Sequence, residues 1–247
     1  MNTDFERLYL CLSLKISVQI HMFNISEKWR KTYPGAFAGV LAMNHVVNPP
    51  EHAELDAHKA ALEAALRAKY VAFDRPALRA LPVLQAYHEY YKRFKKTYHV
   101  QLQLESVVHK GKSIPRVAAL VEAMFMAELE DQMLTAGHDL DVVQTPVRID
   151  VADGSEEYVR INGQLQQLAA GDMFIADTVG VLSSVVHGPD QRTQITEATT
   201  RVLFTVYAPP GIGETAVLSH LQNIQANVHL IAPQAEVELL AVYGADS

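Results

Sequence analysis

The residues best suited to chemistry in this chain lie in the stretch 179–207, VGVLSSVVHGPDQRTQITEATTRVLFTVY. His187, Asp190, Arg192 and Thr193 crowd into one polar loop there, between two apolar runs. An imidazole takes and gives protons near neutral pH, though a lone histidine beside a strand also serves as a structural side chain. A guanidinium pairs bidentately with carboxylate or phosphate, so Arg192 either holds an anionic ligand or is pinned by Asp190 as a loop brace. Thr193, Thr196, Thr199 and Thr200 suit the satisfaction of turn backbone groups, and Thr196-Glu197 resembles the start of a capped helix. A second group, His138-Asp139-Leu140-Asp141, alternates imidazole and carboxylate. It reads either as the ligands of a metal-assisted hydrolase (His138, Asp139, Asp141) or as a turn from helix to strand capped by Asp139. With no distant histidine partner for it, neither a metal nor another cofactor is expected.

Phosphate-binding loops of the Gly-x-x-x-x-Gly-Lys-Ser/Thr type, Gly-x-Gly-x-x-Gly after a strand, His-Glu-x-x-His and Gly-x-Ser-x-Gly are all absent from the sequence. Common nucleotide, zinc-protease and serine-hydrolase chemistries therefore lose their usual support. The formal net charge of -7 repels nucleic acid as a whole and disfavours DNA, so any RNA contact must come from a local basic patch. Lys92, Arg93, Lys95, Lys96, Lys110, Lys112 and Arg116 supply one, set against Glu105 and interleaved with Tyr90, Tyr91, Phe94 and Tyr98. The same residues read otherwise as a solvated face at a helix end. The lone Cys11 suits a reducing compartment, and cytoplasm is the expected location. Residues 8–20 are apolar but carry Lys15 and follow Asp4 and Glu6, unlike a signal peptide or a membrane span. Residues 1–22 are expected to be an extension, either an edge strand or dispensable.

The elements that must hold these groups follow from periodicity. Asn24 or Ser26 caps a short helix through Trp29 ending before Tyr33-Pro34-Gly35, and 38–43 is a buried strand. Residues 51–70 place Leu55, Leu62 and Leu66 on one helical face, and 77–94 continues as helix broken near Pro82. Residues 102–108 look like a strand interrupted by Gly111, and Pro115 is expected to begin another helix carrying Val117, Leu120, Val121, Met124, Phe125 and Leu129. After 135–137 the period changes: 147–151, 158–161, 173–176, 179–186 and 202–206 are short strands, with Asp153-Gly154, Asn162-Gly163 and Gly171-Asp172 as turns. Residues 214–227 form an amphipathic helix before a strand-like tail. The order, helices largely first and strands later, predicts one α+β domain.

Three segments, VEAMFMAELEDQMLTAGHDLD, GVLSS and ITEATTRVLFTVYAP, together resemble the B3/B4 domain, the tRNA-editing domain of the phenylalanyl-tRNA synthetase β subunit, and more closely its free-standing relatives. The likeness runs from about residue 23 to 212. It implies a single domain over 23–247, with a three-layer α+β fold, an unusual β-sandwich and flanking helices. It also implies hydrolysis of an amino acid wrongly esterified to tRNA, in a pocket beside the terminal adenosine. The family's Asp-x-Thr-Asn falls on Glu122, Ala123, Met124 and Phe125, and its His-Ala-Phe-Asp on Ala136, Gly137, His138 and Asp139. Its Gly-Val-Met-Gly-Gly falls on Gly180, Val181, Leu182, Ser183 and Ser184, and the glutamate that meets a tyrosine hydroxyl falls on Thr205. Tyrosine is thus not the expected substrate; Met124 and Phe125 favour a smaller or more apolar side chain. By this resemblance His138, His187 and Thr205, with Ser183, are the candidate helpers of ester hydrolysis. Glu122, Met124, Phe125, Ala136, Asp139, Gly180, Ser183, Asp190, Arg192 and Thr193 are candidate pocket residues, and the Lys92–Lys112 basic residues are the RNA contacts. The partner is then a mischarged tRNA, or a free amino acid if no bond is broken. The reading requires the strands near 180 and 205 to converge with 121–139 around a cavity.

Overall fold

A computed structural model describes residues 22–246; the extension expected over 1–22 lies, apart from Met22, outside the described residues. Strand β1 (Phe23–Ile25) leads into helix α1 (Glu27–Thr32), where Ser26 Oγ accepts the Trp29 N–H at 3.0 Å as the N-cap. Strand β2 (Phe37–Asn44) follows, then α2 (Ala53–Tyr70), α3 (Arg75–Arg79) and α4 (Pro82–Lys92), the last opening on its proline as expected.

The segment expected as a strand at 102–108 belongs instead to helix α5 (His99–Lys110). Its buried residues Val100, Leu104 and Val107 fall at helical spacing, and Gly111, with φ 64°, is the left-handed C-cap and not a break in a strand. Helix α6 spans Ala119–Asp131, so Pro115 does not begin it. The start is fixed by residues from elsewhere: Pro49 O accepts the Ala119 N–H at 3.1 Å and Asn48 Oδ1 accepts the Leu120 N–H at 2.9 Å.

The strands of the second half are β3 (Thr135–Asp139), β4 (Val147–Val151), β5 (Glu157–Val159), β6 (Leu165–Gln167), β7 (Met173–Ala176), β8 (Val181–Ser184), β9 (Gly188–Pro189) and β10 (Val202–Ala208). Helix α7 (Glu214–Ile231) and strand β11 (Glu236–Gly244) end the order. Residues 138–139 are thus strand; the turn follows them, with Asp139 Oδ1 accepting the Asp141 N–H at 3.0 Å. No helix starts at Thr196, because the Thr199 N–H closes a single turn on Thr196 O at 3.1 Å.

The fold is α+β. One sheet has the order β1-β4-β7-β8-β9, with β1 parallel to β4, and the other has the antiparallel order β11-β2-β10-β3. The sheets face each other: Tyr207 Oη on β10 and His138 Nε2 on β3 both reach Ser183 Oγ on β8, at 2.6 and 3.0 Å. On the far side of the second sheet α7 packs against bare backbone at Gly39, where an added Cβ would lie 2.6 Å from Val217 Cγ1. Helices, sheet and sheet make three layers. Helix α4 plugs one end of the sandwich with three buried tyrosines. Tyr87 Oη donates to Tyr207 O at 2.6 Å, Tyr90 Oη to Asp172 Oδ1 at 2.7 Å, and Tyr91 Oη to Val185 O at 2.6 Å. A small separate cluster, including Tyr158, Leu168 and Phe174, packs beneath the β5–β6 hairpin. Among the described residues no helix is long and apolar enough to cross a membrane.

Candidate functional site

Strand β3 pairs with β10 along one edge, and its other edge is left to border a cavity of about 610 Å³. Met124, Phe125 and Glu128 of α6 form one wall and Thr135, Ala136 and Gly137 of β3 the next. Ser184 and Val186 to Pro189, with Tyr207, Ile195, Arg160 and Ile161, form much of the rest. A Cβ on Gly137 would stand 2.8 Å from Ile195 Cδ1 and 3.3 Å from Met124 Sδ, so the ends of those two side chains would have to shift to admit one. The volume falls within the roughly 300–1,000 Å³ typical of small-molecule sites.

Glu128 is the single acid among the residues that line this largely apolar chamber. Its side chain is buried, and loss of solvent pushes its carboxyl up to about 8, although the Thr135 N–H donates to Oε1 at 2.7 Å. The group is therefore largely protonated near neutral pH and ionises readily when a cation arrives. Burial lowers His187 at the mouth, with Lys96 and Arg160 adding to the effect, and burial alone pushes His99 down to about 4. Both imidazoles are neutral at pH 7, and the positive charge at the entrance comes from Lys96 and Arg160.

The B3/4 domain family matches residues 85–225, 57% of the chain and all of the cavity lining. The chain belongs to the B3/4 domain family. No curated protein sequence matches it. Among solved structures it is similar to an N-terminal fragment of the phenylalanyl-tRNA synthetase β-subunit from Pyrococcus horikoshii, with 10% identity and a TM-score of 0.46. That likeness covers 87% of this chain and 50% of the fragment, so the chain spans half the fragment's length.

Within this B3/4 domain the sequence-predicted residues divide sharply. Met124, Phe125, Ala136 and His187 line the cavity. His138 does not: it is wholly buried between the sheets, with Nδ1 2.8 Å from Thr193 Oγ1 and Nε2 3.0 Å from Ser183 Oγ, and burial pushes it down to about 3. Thr205 faces the same buried interlayer and, among the described residues, its hydroxyl has no hydrogen-bond partner. Glu122 turns away from the cavity, paired with Lys59 and accepting the Val117 N–H at 2.9 Å. Gly180 is exposed in a turn, its N–H 3.1 Å from Asp177 Oδ1.

Arg192 is a brace, but chiefly of Asp177: Nη2 lies 2.9 Å from both of its carboxylate oxygens, whereas Asp190 Oδ2 is 3.7 Å from Nε. Asp190 instead accepts from the Thr193 hydroxyl and, at 3.2 Å, from the Thr193 N–H. The metal reading also fails on geometry. Asp139 accepts from Thr199 Oγ1 at 2.7 Å and Asp141 pairs with Arg201 at 3.4 Å, so neither converges with the enclosed His138.

The basic patch is two clusters, not one. Lys92, Arg93, Lys95 and Lys96 lie at and just past the end of α4, while Lys110 and Lys112 stand at the other end of α5, about 18 Å along a helix of 12 residues. Arg93 lies over the rings of Tyr33, Tyr90 and Phe94 at 5.1, 5.6 and 5.7 Å. Only the first cluster is near the cavity, through Lys96. Sequence reasoning missed Glu128, whose signal was an acid within the apolar helical run AMFMAELE, one turn beyond Met124. It also missed Thr135 and its partner His220, which are separated by 85 positions and gave no local signal.

Proposed function

We propose that this cavity receives the aminoacyl group of a mischarged tRNA and that the protein hydrolyses the ester. The observation that carries the reading is a chamber whose walls are largely apolar and whose single lining acid, Glu128, is poised to ionise against a cation. An aminoacyl ester presents that pair of features: a side chain for Met124, Phe125 and Ile195, and an α-ammonium for the Glu128 carboxylate. Membership of the B3/4 domain family and the synthetase-like motifs support a tRNA substrate. Lys96 and Arg160, whose charges both act on His187, are placed to meet the phosphates of an acceptor end. The apolar walls suit a side chain smaller or less polar than tyrosine.

The test is a panel of mischarged tRNAs incubated with the protein, scored by loss of the esterified amino acid. Release from at least one tRNA bearing a small or apolar amino acid, and its loss in Glu128→Ala, are expected. A panel left intact overturns the reading.

A second reading has its own support, since Glu122 and His138, which resemble editing positions, point away from the cavity. In it the chamber holds a free amino acid and breaks no bond. Thermal stabilisation by amino acids without turnover of any mischarged tRNA would decide for the binding module.

A further inference from the structure

A hydroxyl, an imidazole and a carboxylate from three separate elements meet at the wall of the cavity. Thr135, the first residue of β3, places Oγ1 2.7 Å from His220 Nε2 on α7. His220 Nδ1 lies 2.8 Å from Oδ2 of Asp131, the last residue of α6. Asn223 Nδ2, one turn along α7, donates to the same carboxylate oxygen at 3.0 Å and fixes it.

The chemistry of the donors sets the tautomer. A carboxylate only accepts, so Nδ1 carries the imidazole proton, and the lone pair on Nε2 is left to accept the Thr135 hydroxyl. His220 is wholly buried, which protects this arrangement, while Thr135 lines the cavity. The backbone adds a donor. Thr135 and Asp139 N–H groups point from the free side of β3, to Glu128 and to Thr193 O, so the two-residue period of the strand sends the Gly137 N–H from that same side at the cavity wall.

We propose that Thr135 is an acyl-accepting nucleophile, activated by His220 and oriented by Asp131, for carboxylic esters of small apolar acids. Thr135 Oγ1 bonds to the ester carbonyl carbon as its proton passes to His220 Nε2, and the carbonyl electrons move onto oxygen beside the Gly137 N–H. The tetrahedral species collapses with cleavage of the bond to the alcohol oxygen, which takes the proton from His220. Water then adds to the acyl-threonine, giving its proton to His220. Breaking the Oγ1–carbon bond returns that proton to Thr135 and frees the acid. Ester and water become acid and alcohol, with no other reactant. The relay requires only a carboxylic ester, so it stands or falls separately from the tRNA reading.

The probe is p-nitrophenyl butyrate, with wild type, Thr135→Val, Thr135→Ser and His220→Gln compared for kcat/KM and for thermal unfolding. Thr135→Val keeps the β-branched shape and is expected to lose on the order of 10³-fold in kcat/KM, Thr135→Ser to stay within about tenfold, and His220→Gln to fall with the valine variant. Acid-quenched peptide mapping should find butyrate on residue 135 of the wild type. Wild type no faster than buffer, or a Thr135→Val rate within about threefold of wild type, overturns the proposal. Should the valine variant not fold, a folded His220→Gln with the wild-type rate overturns it equally. Mischarged tRNA cleared at an unchanged rate by Thr135→Val would sink the relay and leave the deacylation reading intact. Butyrate turnover through Thr135 with every mischarged tRNA intact would do the reverse.

Discussion

Glu128 shows how one buried side chain couples folding to pH. Its carboxyl titrates at about 8 when folded against an ordinary value of 4.5. Below the ordinary value both folded and unfolded chains hold the proton and burial costs little. Between the two values the unfolded chain ionises while the folded one does not, so the folded state loses ground as pH rises, by about 1.4 kcal/mol per unit, and the loss levels off above the folded value. Glu128→Gln keeps an acceptor for the Thr135 N–H but cannot titrate. Its stability relative to wild type should therefore climb steadily between about pH 5 and pH 8 in urea unfolding. A gap that does not change with pH would mean that Glu128 is ionised and solvated in the folded protein.

At the scale of elements, the mouth of the cavity depends on how α4 is locked to the first sheet. The Tyr90 hydroxyl donates to Asp172 Oδ1 at 2.7 Å and accepts the Met173 N–H at 2.6 Å, while the Val186 N–H reaches Asp172 Oδ2 at 3.3 Å. Burial pushes Asp172 up to about 6, and the tyrosine hydroxyl works against that rise. Tyr90→Phe leaves a buried carboxyl and a buried N–H each short of a partner, so a loss of about 1–3 kcal/mol in denaturant unfolding is expected. Val186 and His187 both line the cavity, so the variant should also weaken ligand capture. Stability equal to wild type would show that water replaces the hydroxyl at no cost.

For the whole molecule, a net charge of -7 must be overcome locally before any RNA can approach. Helix α5 decides which lysines can contribute, because it carries Lys110 and Lys112 away from the cavity and leaves Lys96, next to Lys95 in the chain, within electrostatic reach of His187. Lys95→Glu with Lys96→Glu should weaken tRNA binding about tenfold and flatten its dependence on salt. Lys110→Glu with Lys112→Glu, an equal change in total charge, should leave binding within about twofold. Equal losses from both pairs would mean that overall charge, and not the cavity mouth, governs capture.

By itself the sequence determined the α+β class, the family and most element positions, because capping, turn dipeptides and apolar periodicity act over a few residues. Ser26, Pro82 and the run at 202–206 announced their elements in this way. It also marked Met124, Phe125 and Ala136 through motif resemblance, and His187 through its polar loop, and all four line the cavity. Where it failed, a distant partner outweighed the local signal. Val100, Leu104 and Val107 suit helix or strand, and packing beside α2 settled them; α6 starts where Asn48 and Pro49 satisfy its amides, not where a proline suggests. Only the tertiary structure decided that His138 and Thr205 face a buried interlayer while Glu128 and Thr135 line the cavity. Strand alternation cannot settle this, because three successive residues of β3, Thr135, Ala136 and Gly137, border the cavity while His138 is enclosed by Thr193 and Ser183. The meeting of Thr135, His220 and Asp131 is created by the packing of α6, α7 and β3, and no stretch of sequence contains it.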